Sequence, residues 1–128
     1  MSLILVDTSI WIRILSRKNT ALSDPTEMER YATCLPIIQE VLQGIRSDLH
    51  HSTVKDGLLA LPCLSNPIDS DVYIQAADLY RSGRRRGLTI RSSVDCLIAV
   101  IAIRGNIEIW HHDRDFDKIA KFTDLKVF

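Results

Sequence analysis

The run Leu3-Ile4-Leu5-Val6 stops at Asp7-Thr8-Ser9, and beyond it the apolar residues change period. Ile10, Trp11, Ile14 and Leu15 follow the i, i+1, i+4, i+5 spacing of one helical face. Consecutive apolar residues without polar alternation describe a strand buried on both faces. A strand of that kind leading straight into a helix opens a parallel sheet, because parallel neighbours are joined by helical crossovers. The pattern thus predicts alternating strands and helices, with Asp7 at the carboxyl end of the first strand, where ligands of such sheets bind.

The rest of the chain keeps that alternation. A polar, turn-like stretch from Arg17 to Pro25 and a short helix over Pro25–Glu29 precede a second strand at Tyr31–Leu35. Pro36 suits the first turn of a helix reaching about Arg46, with Ile37, Ile38, Val41, Leu42 and Ile45 as its stripe. A helix over His50–Leu59, an edge strand at Leu61–Leu64 and a helix from Pro67-Ile68-Asp69 to about Arg81 follow. Gly83 and Gly87 bracket Arg84-Arg85-Arg86, which predicts a loop or frayed helix end for that basic run. Ser92 or Ser93 caps a strongly apolar helix, Val94–Ile103, closed by Gly105-Asn106. Ile107–Trp110 is a further strand, Arg114–Lys121 a short helix and Leu125–Phe128 a last strand. The expected fold is α/β: a three-layer α/β/α sandwich around a central, mainly parallel sheet of four to five strands.

At 128 residues this is the size of a single domain, residues 1–128, with one core and no separate recognition module. Sixteen basic residues balance sixteen acidic ones, so nucleic-acid contact must rest on local clusters and not on a global field. Cys34, Cys63 and Cys96 lack metal-ligand spacing and read as core thiols of a reducing, cytoplasmic protein. The first residues lack the basic start and long apolar stretch of a signal peptide, and no segment approaches the ~20 apolar residues that span a bilayer.

Four acids fall at strand ends or one turn into the following helix: Asp7, Glu40, Asp95 and Asp113, separated by 33, 55 and 18 positions. Glu40 lies on the flank of its helix's apolar stripe, and Asp95 sits in a first turn, which the helix dipole favours and which aims it back toward the preceding loop. Asp115, two positions after Asp113, is a second candidate for the acid facing a metal. Each acid has a plainer reading: Asp7, Asp113 and Asp115 as helix caps, Glu40 as a half-exposed helix carboxylate, Asp95 as a favourable first-turn charge. Together they repel one another unless a cation lies between them, and hard divalent cations are bound by such oxygens. That chemistry suits phosphodiester hydrolysis.

In this order and at this length, the motifs VDTSIW, QEVLQGI, SSVDCLIAVIA and HHDRDFDKIA resemble the PIN-domain ribonuclease toxins of the VapC type across the whole chain. The resemblance implies a Mg2+- or Mn2+-dependent endoribonuclease, silenced by a cognate VapB-like antitoxin and released when that antitoxin is degraded. It also implies a homodimer, or a higher toxin-antitoxin assembly, and an antitoxin that threads a helix and a charged tail across the active-site groove. The family's acidic set maps onto Asp7, Glu40, Asp95 and Asp113, and its hydroxyl after the first aspartate onto Thr8 and Ser9. Ser92-Ser93 departs from the Gly or Pro that many relatives carry there.

Phosphate-binding candidates are Arg84, Arg85 and Arg86, with Arg91 favoured by its nearness to Asp95, and Arg13 and Lys18 weaker. A solvated basic patch explains the arginine run equally well. His112 is a candidate support for the site and otherwise surface; His50 and His51 read as a solvent-facing pair. Trp11, Tyr73 and Tyr80 could stack on bases or line a protein groove, with Trp11 better suited to a protein contact. Residues 10–15 and 37–45 carry more apolar surface than a small monomer needs, which favours a partner over a membrane. Three other functions fit the same residues: a DNA or structure-specific nuclease, a receiver-like Mg2+ pocket using Lys118, Lys121 or Lys126, and a non-catalytic scaffold.

Overall fold

A computed structural model describes residues 2–16 and 28–128. The turn expected at Arg17–Pro25, most of the short helix expected over Pro25–Glu29, and Lys18 lie outside the described residues.

The opening unit forms as its apolar pattern dictates. Strand β1 (Ile4–Val6) is buried throughout and feeds helix α1 (Thr8–Leu15), which turns Ile10, Trp11 and Ile14 inward. Strand β2 (Tyr31–Ala32) leads into α2 (Leu35–Gln43), where Pro36 occupies the first turn and Ile37 and Val41 face the core. Helix α2 ends at Gly44, short of the expected Arg46. Helix α3 (Asp48–Leu59) is capped by the Ser47 hydroxyl, and α4 (Ser70–Arg85) buries Val72, Ala76, Leu79 and Gly83. Helix α5 (Ser93–Gly105) then returns to β3 (Glu108–Trp110), followed by α6 (Arg114–Ala120).

The strands pair in parallel in the order β2-β1-β3, with Ile4 opposite Tyr31 and Glu108, and Leu5 opposite Ala32 and Ile109. The first strand is therefore central, and Asp7 leaves the sheet between its two neighbours. Of the expected four to five strands, three form among the described residues. Each outer position holds one parallel bridge, Thr33 with Cys63 on one edge and Ile109 with Val127 on the other. Cys63 falls in the expected edge strand Leu61–Leu64, and Val127 in the expected last strand Leu125–Phe128. The result is an α/β/α sandwich with a central, largely parallel sheet.

Helix α5 fixes the middle of the fold. Every residue from Asp95 to Ala102 is buried, which suits a helix apolar on all sides and enclosed by other elements. It packs against α2, α4, α6 and β3. Asn106 ends it in the left-handed conformation at φ 52°. Cys34 and Cys96 are free core thiols whose pKa burial pushes up to about 12 and about 11.

The apolar excess of residues 10–15 and 37–45 goes mainly into this core; Ile12 and Leu35 are the large apolar side chains of α1 and α2 left exposed. Trp11 is fully buried with its ring edge-on to Tyr31 at 5.9 Å, so it is not available to stack on a base. No helix among the described residues is long and apolar enough to cross a membrane.

Candidate metal centre

Five carboxylates meet where β1 and β3 end and α5 and α6 begin, with Glu40 reaching in from the second half of α2. Asp7 is both the residue after β1 and the N-cap of α1. Its Oδ2 accepts from the Ser9 amide at 3.0 Å and from the Ser9 hydroxyl at 2.6 Å. Ser9 Oγ in turn accepts from the His112 amide at 2.9 Å, and the Asp7 amide donates to the Trp110 carbonyl at 3.0 Å. Two sheet ends are thereby tied together under the acid. Thr8 Oγ1 donates to Glu40 Oε1 at 3.0 Å, which fixes the half-buried glutamate against the start of α1. Thr8 and Ser9, expected at the substrate, thus point their hydroxyls at the carboxylates.

Asp95 is 5% exposed in the first turn of α5, and its Oδ2 has no hydrogen-bond partner among the described residues. Asp113 caps α6 by accepting from the Asp115 amide at 2.9 Å, and its own amide donates to His111 Nδ1 at 3.0 Å. Oxygens of Asp95, Asp113 and Asp115 all lie within 4.8 Å of one another.

The electrostatics follow from crowding like charges in a dry place. Burial pushes the Asp95 carboxyl up to about 9, assisted by the Asp113 charge and hydrogen bond and by the charges of Asp7 and Asp115. Asp7 is raised by burial, against the pull of the Ser9 and Thr8 donors. Glu40 is raised by burial and by Asp7 and Asp113, with the Thr8 hydroxyl opposing. Among the described residues the one cation paired with these acids is Lys118, 3.9 Å from Asp115 Oδ1. A buried, unpartnered carboxylate oxygen inside an all-oxygen set suits a hard divalent cation. Asp95, Asp113 and Asp115 are therefore the candidate group around which one could be held.

The arginines stand apart. Arg84 and Arg85 end α4 and Arg86 caps it, all exposed, with Arg84 over the Tyr80 ring at 5.9 Å and Arg86 over Phe122 at 5.6 Å. The run closes the helix, with Arg86 just outside it, so of the two expected alternatives the structure has the helix end and not the loop. Arg91 enters the site through its backbone amide, while its side chain is exposed. His112 likewise contributes its amide. The imidazole that supports the site is that of His111, beside Phe116 at 5.2 Å, with Nε2 turned to Asp117 at 3.4 Å. The sequence favours His112 over His111 and offers Lys118 only for a receiver-like pocket; the pairing of Lys118 with Asp115 is legible in their i, i+3 spacing on a short helix. Glu40 also borders a cleft of about 480 Å3 whose other walls include Gln39, Gln43, Tyr73, Val94 and Leu97.

A parallel sheet whose strand ends and following helices gather acids in this way is the arrangement of the PIN domain, and the PIN domain family model matches residues 4–122. The chain belongs to that family. Within it, the chain is closely related to VapC toxins of toxin-antitoxin systems. It is 39% identical over 130 aligned positions to Ribonuclease VapC11 of Mycobacterium tuberculosis, spanning 97% of this chain and 96% of that protein. A VapC ribonuclease of Mycobacterium bovis matches with the same figures. Among solved structures, DNA-bound VapBC from Salmonella typhimurium superposes with a TM-score of 0.75 at 15% identity, covering 100% of this chain and 98% of that one. VapBC2 from Rickettsia felis, bound to a DNA fragment from its promoter, gives 0.74 at 17% identity, covering 98% and 97%. These two likenesses speak for the fold.

Proposed function

We propose that residues 1–128 act as one PIN domain and as a cytoplasmic endoribonuclease toxin dependent on Mg2+ or Mn2+, held inactive by a cognate VapB-like antitoxin. The observation that carries this reading is the buried, unpartnered Oδ2 of Asp95 within reach of Asp113, in a cluster where, among the described residues, one lysine offsets five acids. The 39% identity to proteins named as VapC ribonucleases supports RNA as the substrate. Asp7, Asp95 and Asp113 would hold the ion, with Glu40 binding directly or through water. When bound, the ion supplies Lewis-acid polarisation of a phosphate oxygen and acidifies a water near neutral pH.

The chain's own groups set the geometry. Ser9 orients Asp7, Thr8 orients Glu40, and the His111 ring holds the backbone of Asp113. The buried core beneath Asp95 keeps bulk water from that side. Attack by water instead of the ribose 2′-hydroxyl gives 5′-phosphate and 3′-hydroxyl ends. Arg84, Arg85, Arg86 and Arg91 would contact RNA phosphates. A homodimer, or a larger toxin-antitoxin assembly, completes the reading.

End-mapped cleavage of total RNA and of matched single-stranded DNA, with Mn2+ against EDTA, tests it in wild type and Asp7→Asn. Discrete metal-dependent RNA cuts with 5′-phosphate ends, absent from the variant, are expected. Cuts in DNA alone would make the protein a deoxyribonuclease. Folded, metal-loaded protein that cuts neither would leave the scaffold reading.

A further inference from the structure

We infer that Asp115 and Lys118 form a latch that positions Asp95, and that Asp115 is not one of the ligands of the bound ion. The inference rests on the metal-dependent reading above and concerns which acids of the cluster do which work.

Asp115 differs from its neighbours in how completely it is satisfied. Its Oδ2 accepts from two successive backbone amides, Arg91 at 3.0 Å and Ser92 at 3.2 Å. Its Oδ1 faces the Lys118 ammonium at 3.9 Å, and that ammonium also donates to the Thr89 carbonyl at 3.2 Å. One turn of α6 thereby grips the chain at residues 89, 91 and 92, immediately before α5 begins. The Asp115 side chain is 4% exposed, so its two amide bonds are largely shielded from water, while the Lys118 ammonium closes the grip from a partly exposed position. An acid already neutralised by two amides and a cation gains little from a metal, and a divalent ion on it would stand close to an ammonium. Asp95, equally buried, has an oxygen with no partner at all.

The latch reaches Asp95 in two steps. Ser92, whose amide Asp115 holds, is the N-cap of α5, and its hydroxyl accepts from the Asp95 amide at 3.4 Å. At the other end, the Asp115 amide donates to Asp113, the residue beginning α6. The latch therefore joins the two helix starts that carry Asp95 and Asp113, which lie 18 residues apart in the chain. The closeness of Asp115 to the other two carboxylates follows from that joint. Asp113 and Asp115, two positions apart, hold opposite assignments: one acid toward the metal and one toward the backbone.

The test uses the full chain as wild type, Asp115→Ala, Asp115→Asn, Lys118→Met and Asp113→Asn. Three readouts are taken: thermal midpoint in EDTA, Mn2+ affinity by electron paramagnetic resonance, and amide hydrogen exchange at Arg91 and Ser92. Asp115→Ala should melt about 5 °C lower in EDTA, since two buried amides lose their acceptor. Exchange at residues 91 and 92 should speed up in step. Asp115→Asn keeps an acceptor oxygen and should recover most of both effects, with Mn2+ affinity within about threefold of wild type. Lys118→Met should melt lower than wild type and keep its Mn2+ affinity. Asp113→Asn should lose Mn2+ affinity by about tenfold or more. The inference is overturned if Asp115→Asn loses Mn2+ as severely as Asp113→Asn, or if Asp115→Ala leaves the EDTA midpoint and the two amides unchanged. A variant Asp115→Ala that does not fold leaves Asp115→Asn and Lys118→Met to decide. Wild type that binds no Mn2+ would refute the nuclease reading alone, because melting and exchange in EDTA still judge the latch.

Discussion

Replacing Asp95 by asparagine should stabilise the protein without metal and weaken it, relative to wild type, with metal. The carboxyl is 5% exposed, one oxygen lacks a partner, and burial with the Asp113 charge lifts its pKa from an ordinary 3.8 to about 9. A raised folded-state pKa means that the native protein keeps a proton which the unfolded chain has already released. The stability this group confers is complete below the unfolded value and is lost as pH climbs toward the folded one. Each pH unit in that window removes about 1.4 kcal/mol, so the ceiling near pH 7 is about 4 kcal/mol. Sharing of the proton with Asp113 and relaxation of the cluster make about 2 kcal/mol the working figure. Asparagine has nearly the same shape, does not titrate, and offers amide hydrogens to the neighbouring acids. For a chain of 128 residues the gain is about 7 °C in melting temperature at pH 7. The gap should shrink at pH 5 and widen at pH 8.5. Saturating Mn2+ should reverse it, since wild type gains about 2.7 kcal/mol at a hundredfold excess over Kd while the variant gains little. Calorimetry at the three pH values, in EDTA and in Mn2+, reads every part of this. An Asp95→Asn protein less stable than wild type in EDTA at pH 8.5, or a gap that does not change with pH, would refute the reasoning.

Two further perturbations separate positioning from binding. Thr8→Val removes the donor to Glu40 and should lower RNA cleavage with a stability loss of about 1 kcal/mol, whereas Ser9→Ala removes both the hydroxyl bond to the Asp7 carboxylate and the acceptor of the His112 amide and should lose about 2 kcal/mol in urea denaturation; equal losses would mean the Ser9 bridge is dispensable. Replacing Arg84, Arg85 and Arg86 together by alanine should weaken RNA binding and reduce its slope against log salt by about 2, with the melting temperature in EDTA unchanged. A slope that does not move would leave the run as a solvated surface.

Where a residue's neighbours lie close in sequence, the fold was legible. The apolar run ending at Asp7 gave β1 to within a residue, and the uniformly apolar stretch after Ser92-Ser93 gave the enclosed helix α5. Edges were harder, because an outer strand has one neighbour instead of two. Leu61–Leu64 forms one bridge, and there Pro62 has no amide to donate. Helix α4 runs four residues past the expected Arg81 because Gly83, which reads as a breaker, serves close packing. A Cβ there would come within 3.1 Å of the Phe122 ring and 3.2 Å of the Leu88 carbonyl. That contact joins positions 39 residues apart, and local pattern carries no trace of it.

For the site, local capping and metal binding looked like competing explanations of Asp7 and Asp113, and they are compatible. A carboxylate has two oxygens, and each of these acids spends one on the amide of a helix's second residue. The helix starts also explain how the fold tolerates so many acids. Asp7 and Asp113 cap α1 and α6, and Asp95 lies in the first turn of α5, so each faces the positive end of a helix dipole. Direct donors add to this at Asp7 and Asp113, while Asp95 has an oxygen that none reaches. The cost of ionisation is therefore concentrated on one residue, between acids that are already held in place. A cation arriving there meets a rigid set of oxygens and displaces one proton, so its apparent affinity should climb with pH up to about 9.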